Sequence, residues 1–358
     1  MANGGWEGYR VLETILLATV AWTVQDHDQP FATYWQDVKF WEILERHPRT
    51  LVVDPYCGPD DRPWTKDEIR TLREHGVKPV AYLSLATVGK HQTDLYSLAE
   101  EKGLLGPRDP YWEGDRAVRF WERTWLDALR TKFEELRDLG YEGVFIDVVD
   151  PWTLDWYVKW FRRETGENLE KLRELTYDAL EELIQAALHL GLEVYVNVGG
   201  AIFDPKLAEL KERYGFKVVV EDVITDDEGN LVPDDVFRDY LRALAHLGSG
   251  VYVIEYDLTM TPEVNERLEE LFAETKVEAV YVTSLDHDRL GIDIVPIKAP
   301  VNPSDTSGSS GEEKASYTRE NEEDLERIPV EELVEEGPKK LPVIPIVPPV
   351  RRRCLSHG

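Results

Sequence analysis

The sequence predicts an α/β protein: a (β/α)8 TIM barrel followed by a disordered acidic, Pro-rich C-terminal tail. Three observations carry this reading. Eight short β-branched runs fall between residues 17 and 290. They are mostly apolar throughout rather than alternating, as in strands covered on both faces and paired in parallel. Amphipathic helical patterns separate them, giving a repeated β-then-α rhythm. A doubly wound open sheet is the alternative. The strand count and the lack of a GxGxxG loop after any strand favour the barrel.

The elements follow in order. The first strand is placed at Thr19–Gln25, then a helix at Asp37–Arg46. Strand Leu51–Asp54 precedes helix Thr65–Glu74, where Thr65 and Glu68 have the spacing of a capping box. Strand Pro79–Ser84 leads to a long helix at Val118–Leu139, with Phe120, Trp121, Trp125, Leu129 and Phe133 at helical spacing. Strands Gly143–Asp147, Glu193–Asn197, Lys217–Glu221, Val251–Glu255 and Ala279–Thr283 complete the eight. Helices at Leu169–Leu190, Pro205–Tyr214, Pro233–Leu247 and Pro262–Ala273 lie between them. Gly140, Gly191 and Gly215 stand at the helix stops.

This divides the chain into a lead-in at 1–16, a barrel at 17–298 and a tail at 299–358. The tail begins Ser/Pro/Gly-rich at Val301–Gly311, turns acidic at Glu312–Glu336, and ends Pro-rich and then basic.

The net charge of -29 argues against nucleic acid and against anionic membrane surfaces. A sugar polymer, especially one bearing amino groups, meets no such repulsion. Cys57 lies in the body and Cys354 in the tail, so no structural disulfide is expected. Met1–Arg10 lacks the order of a secretory leader, and Leu12–Trp22 is too short to span a bilayer. The chain as written reads as cytoplasmic, and a monomer is expected.

In a barrel, strand C-terminal ends converge on one mouth. Read in order, they present Gln25, Asp54, Ser84, Asp147 with Asp150, Asn197, Glu221 with Asp222, and Glu255 with Tyr256. Clustered carboxylates cannot ionise independently. A protonated acid beside an ionised one is the pair that glycoside hydrolysis needs. Asp147 and Glu221 are the candidate pair, each at a strand's last position. Gln25, Asp54, Tyr56, Ser84, Trp112, Asp150, Trp152, Asn197, Glu255 and Tyr256 are candidate substrate contacts. Trp112 and Trp152, placed on loops, are the rings best placed for sugar stacking.

No cofactor and no metal are expected. The histidines form no HxxxH pair, there is no CxxC, and Asp286–Asp288 reads as a solvated loop. No GxSxG elbow or phosphate loop is present.

The stretches VVDPY, GVKPVAYLSLA and DPYWEGDRAVRFWERTWLDALRTKFEELRDLGYEGVFIDVVDPW resemble glycoside hydrolase family 114, the endo-α-1,4-polygalactosaminidase group. The resemblance covers roughly residues 17–290. It implies a (β/α)8 barrel acting on galactosamine-containing polysaccharide, in a family whose members are often exported. It also implies Asp147 as nucleophile or base and Glu221 as general acid/base, with Gln25, Asp54 and Asp150 at family positions. There are two departures. Where the family usually shows Gly-Glu after the third strand, this chain has Ala86 and Thr87, so a mouth carboxylate is missing. Glu255 stands where Asp is commoner. The first departure motivates a second reading, a carbohydrate-binding barrel without catalysis.

Overall fold

The computed structural model describes residues 22–297, apart from 227 and 286, together with 351–352. The expected lead-in and nearly all of the expected disordered tail lie outside the described residues.

The central sheet holds ten strands in the order β1-β14-β13-β12-β11-β10-β9-β4-β3-β2. Eight of them pair in parallel: β2 (Ala32–Thr33), β3 (Thr50–Val53), β4 (Lys78–Ser84), β9 (Gly143–Asp147), β10 (Glu193–Asn197), β11 (Lys217–Glu221), β12 (Val251–Tyr256) and β13 (Val277–Thr283). They form the TIM barrel. β14 (Ile292–Pro296) and β1 (Trp22–Gln25) add antiparallel at one edge.

This corrects the first strand. The run ending at Gln25 is the half-exposed antiparallel β1, while the first barrel strand is Ala32–Thr33, inside a fully buried Phe31–Tyr34 segment. An apolar run flanked by polar residues suits an outer edge as well as a core strand, and composition alone cannot separate the two.

Side chains, rather than a ladder, join the first barrel strand to the last. The Tyr281 hydroxyl donates to the Thr33 carbonyl (3.0 Å) and accepts the Gly291 N–H (2.7 Å). The Phe31 N–H donates to Asp293 Oδ2, and Gln29 Nε2 donates to the Gly291 carbonyl. Gly291 is required here, since a Cβ would lie 1.9 Å from the Val282 carbonyl oxygen. Inside the barrel, Phe31 stacks on Tyr252 at 5.0 Å, and Tyr195 and Tyr281 pack around it.

Helices pack outside. α1 (Phe40–Arg46) starts later than expected, after a left-handed Asp37. α2 (Lys66–Glu74) carries the complete Thr65/Glu68 capping box. α3 (Thr93–Glu101), β5 (Thr87–Gly89), β6 (Leu105–Arg108), β7 (Trp112–Glu113) and β8 (Asp115–Val118) form an excursion between β4 and β9. Within it, β5, β8 and β6 make a small antiparallel sheet. The expected long helix therefore begins only at α4 (Arg123–Leu139), because Asp115–Val118 is spent on β8. Its buried Trp125, Leu129, Phe133 and Leu136 keep helical spacing. α5 (Asp155–Thr165), α6 (Leu169–His189), α7 (Pro205–Tyr214), α8 (Asp234–Leu247) and α9 (Pro262–Glu274) follow. Asn168, Asp204 and Thr261 cap α6, α7 and α9 through their side chains. A two-residue strand, β15 (Arg351–Arg352), pairs with β7.

Candidate active site

The strands that are neighbours in the sheet bring their last residues together. β9 ends at Asp147, β10 at Asn197 and β11 at Glu221. Asn197 Nδ2 donates to Asp147 Oδ1 and to Glu221 Oε1, both at 3.0 Å. Two such contacts to one nitrogen hold the facing carboxylate oxygens no more than about 6 Å apart. Acceptors lying along an amide's two N–H bonds, which diverge by ~120°, stand about 5 Å apart. On its other oxygen, Asp147 accepts the Tyr82 hydroxyl at 2.7 Å. Tyr82 is two residues before the end of β4, so it points to the same side as Ser84.

The backbone reverses directly after each acid. Val148 has φ 52° and Asp222 has φ 55°. A β-branched residue in this left-handed region is a costly exception. Hydrogen bonds hold both reversals: the Leu85 N–H reaches the Asp147 carbonyl, and the Asp222 N–H reaches the Ile254 carbonyl.

Asp150 lies beside this pair but faces protein. It accepts the Gly200 N–H (2.7 Å) and the Thr153 hydroxyl (3.0 Å) on Oδ2. A Cβ at Gly199 would lie 2.5 Å from that oxygen, so the Gly199–Gly200 turn is what admits the carboxylate. Burial is the main cause that pushes its pKa up to about 6; the two hydrogen bonds pull downward, and the Asp147 charge adds a smaller upward push.

The other expected contacts divide into two groups. Asp54, just past β3, is buried, and its Oδ2 meets His91 Nε2 at 2.9 Å. With Trp35, Gln36, Cys57, Tyr82 and Trp112 it lines a cleft. Trp152 packs on Tyr177 with ring centroids 5.3 Å apart. The Tyr56 hydroxyl donates to Asp94, and its ring edge meets His91.

Four residues are committed elsewhere. Ser84 binds the backbone and hydroxyl of the buried Thr87. Glu255 is fully buried and, among the described residues, its hydrogen bonds go to the 223–225 segment. Tyr256 meets His287 Nε2 at 3.2 Å. Gln25 sits on antiparallel β1 opposite Asp293, not at a parallel strand end. The glutamine in the cleft is Gln36, which follows the true first strand.

The profile of glycoside-hydrolase family GH114 matches residues 49–294. The chain belongs to that family. A 105-residue stretch is 30 % identical to the uncharacterized protein MJ1477 of Methanocaldococcus jannaschii, covering 28 % of this chain and 30 % of the relative. A 97-residue stretch is 26 % identical to an uncharacterized protein of Thermotoga maritima, covering 26 % and 29 %. These matches span under a third of either curated relative's length. The glycoside hydrolase domain of PelA from Pseudomonas aeruginosa has the same fold at TM-score 0.51 and 21 % identity, over 73 % of this chain and 96 % of that one. Ega3 of Aspergillus fumigatus, solved in complex with galactosamine, aligns at TM-score 0.49 and 14 % identity, over 75 % and 95 %.

Several residues of this GH114 chain escaped the sequence reading. Tyr82 was hidden because an inward tyrosine inside an apolar strand reads as core. His287 is buried rather than on a solvated loop, stacking on Trp35 at 3.8 Å with Nδ1 at the Thr33 hydroxyl. The buried Asp115 pairs in the excursion opposite Gly89, two residues beyond Thr87. Tyr195 is fully buried among Phe31 and Tyr252 inside the barrel, with its hydroxyl on Glu193.

Asp54, Cys57 and His91 bring possible metal-ligand atoms within 4.8 Å of one another. Cys57 is disulfide-bonded, against expectation, and so offers no thiolate.

Proposed function

We propose that this chain is a glycosidase that cleaves an amino-sugar polysaccharide in the manner of an endo-α-1,4-polygalactosaminidase, with Asp147 and Glu221 as the reacting pair. The observation that carries the reading is the single Asn197 nitrogen shared by both carboxylates. Facing oxygens no more than about 6 Å apart favour the spacing of retaining enzymes, about 5–5.5 Å, over the roughly 6.5–9.5 Å of inverting ones.

In that mechanism Asp147 attacks the anomeric carbon while Glu221 gives its proton to the leaving oxygen. The glycosyl ester on Asp147 is then hydrolysed by a water that Glu221 deprotonates, which restores both groups. Asn197 and Tyr82 donate to the nucleophile and hold its orientation. Trp35, Trp112 and Asp54 line the adjoining cleft, where rings can stack on sugar faces and a carboxylate can face an amino group.

The test is reducing-end release from polygalactosamine, partly deacetylated galactosaminoglycan and other amino-sugar polymers. Asp147→Asn and Glu221→Gln should each lose at least about 10²-fold in turnover, the scale of a lost acid/base group. NMR of the first-formed anomer should show retained configuration. Wild-type rates in either variant remove that residue from the mechanism. Glycan binding that survives Asp147→Asn, with no turnover in the wild type, would instead establish the binding-barrel reading motivated by Thr87.

A further inference from the structure

Glu255 is fully buried near the end of β12, yet its four hydrogen bonds all go to the segment after Glu221. Its Oε1 accepts the N–H groups of Val223 (2.8 Å) and Ile224 (2.7 Å). Its Oε2 accepts the N–H (3.1 Å) and the hydroxyl (2.9 Å) of Thr225. Three successive backbone donors therefore converge on one carboxyl group, forming an anion-binding concavity.

None of the four donors carries a charge. Placing an acid in such a site is costly, and burial pushes the Glu255 pKa up to about 7 against the downward pull of the four bonds. A cheaper neutral residue at 255 would leave three buried N–H groups without this acceptor. The segment they belong to begins at the left-handed Asp222, the residue directly after Glu221.

We propose that Glu255 is a positioning residue: its carboxyl group pins residues 223–225 to β12 and thereby holds Glu221 at Asn197, opposite Asp147. This rests on the reading of Asp147 and Glu221 as the reacting pair. Glu255 thus touches no sugar and acts through Glu221.

The test uses the full chain with Glu255→Gln and Thr225→Val. Hydrogen exchange is followed at the amides of 223–225, and the Glu221 carboxyl carbon is titrated by NMR. In Glu255→Gln one acceptor oxygen becomes an NH2 group facing N–H donors. Exchange at the three amides should rise at least about tenfold relative to β3, a local opening rather than global unfolding. The Glu221 titration should move, and kcat on the amino-sugar polymer should fall about 10²-fold at unchanged KM, as for a misplacement of about 1 Å. Thr225→Val, which removes one donor, should show smaller effects in the same direction. If Glu255→Gln does not fold, Glu255→Asp, shorter by one methylene, carries the same test.

Unchanged exchange at 223–225 overturns the proposal. So does a loosened segment with an unmoved Glu221 titration. Absence of turnover in the wild type would sink the hydrolytic reading, while exchange and titration would still decide the role of Glu255.

Discussion

Val148 and Asp222 share one uncommon backbone state, φ 52° and 55°, and each directly follows one of the two carboxylates that meet at Asn197. The barrel thus ends β9 and β11, the strands on either side of β10, with the same left-handed reversal. Non-glycine residues in this region cost of order 1–3 kcal/mol and persist where surrounding contacts over-determine them.

Val148→Gly should therefore be mild. Relief of strain offsets the lost side chain and the flexibility of glycine, so stability should stay within about 1 kcal/mol of wild type. Val149→Gly, at the fully buried neighbour, should cost about 2–4 kcal/mol. Urea denaturation of the two variants checks this. A loss at Val148 as large as at Val149 would mean that the reversal stores no strain.

Tyr82→Phe removes the hydroxyl that donates to Asp147 Oδ2. That bond holds the carboxylate in the orientation the proposed attack needs, so its loss should lower kcat. Turnover should fall about tenfold, equivalent to ~1.4 kcal/mol of lost charge-assisted bonding. Wild-type turnover in Tyr82→Phe would remove Tyr82 from the site.

Asp150 should leave a signature in stability against pH. Its pKa is raised from 3.8 to about 6 by folding, so the native state binds a proton more readily than the unfolded chain. The stability this contributes is present below about pH 4 and is lost as pH rises towards 6. At about 1.4 kcal/mol per pKa unit, the loss is at most of order 3 kcal/mol. Asp150→Asn should flatten that part of the curve, read by denaturant unfolding at pH 4, 5, 6 and 7. An identical slope in the variant would show that Asp150 does not titrate there.

Tyr281→Phe tests the closure between the first and last barrel strands. The hydroxyl serves both the Thr33 carbonyl and the Gly291 N–H, and all three groups are in the buried seam. Removing it strands two backbone groups, at about 1–3 kcal/mol each. Thermal unfolding should show the loss, with hydrogen exchange faster around 31–34 than in β10. Unaltered exchange there would place the closure elsewhere.

Much of this was readable in advance because the relevant signals are local. Apolar runs ending in Asp147, Asn197 and Glu221 gave β9, β10 and β11 at their observed boundaries, and the Thr65/Glu68 spacing gave the cap of α2. What stayed hidden depends on partners distant in the chain. Ala32–Thr33 is too short to announce itself, and only its pairing with β3 marks it as a strand. Val118 reads as the start of a helix until β8 pairs with β5 and β6. Glu255 looked like a mouth acid because it stands near a strand end, whereas three backbone donors from the neighbouring connection claim it. Proximity to a strand end does not determine what a side chain will meet there.

The excursion between β4 and β9 has a consequence for how such a chain can diversify. His91 and Trp112 come from that insertion, whereas Asp147, Asn197 and Glu221 are fixed by the inter-strand spacing of the sheet. In the reading proposed above, replacing residues 86–118 would reshape the cleft wall that Trp112 supplies while leaving the interval between Asp147 and Glu221, bridged by Asn197, as it is.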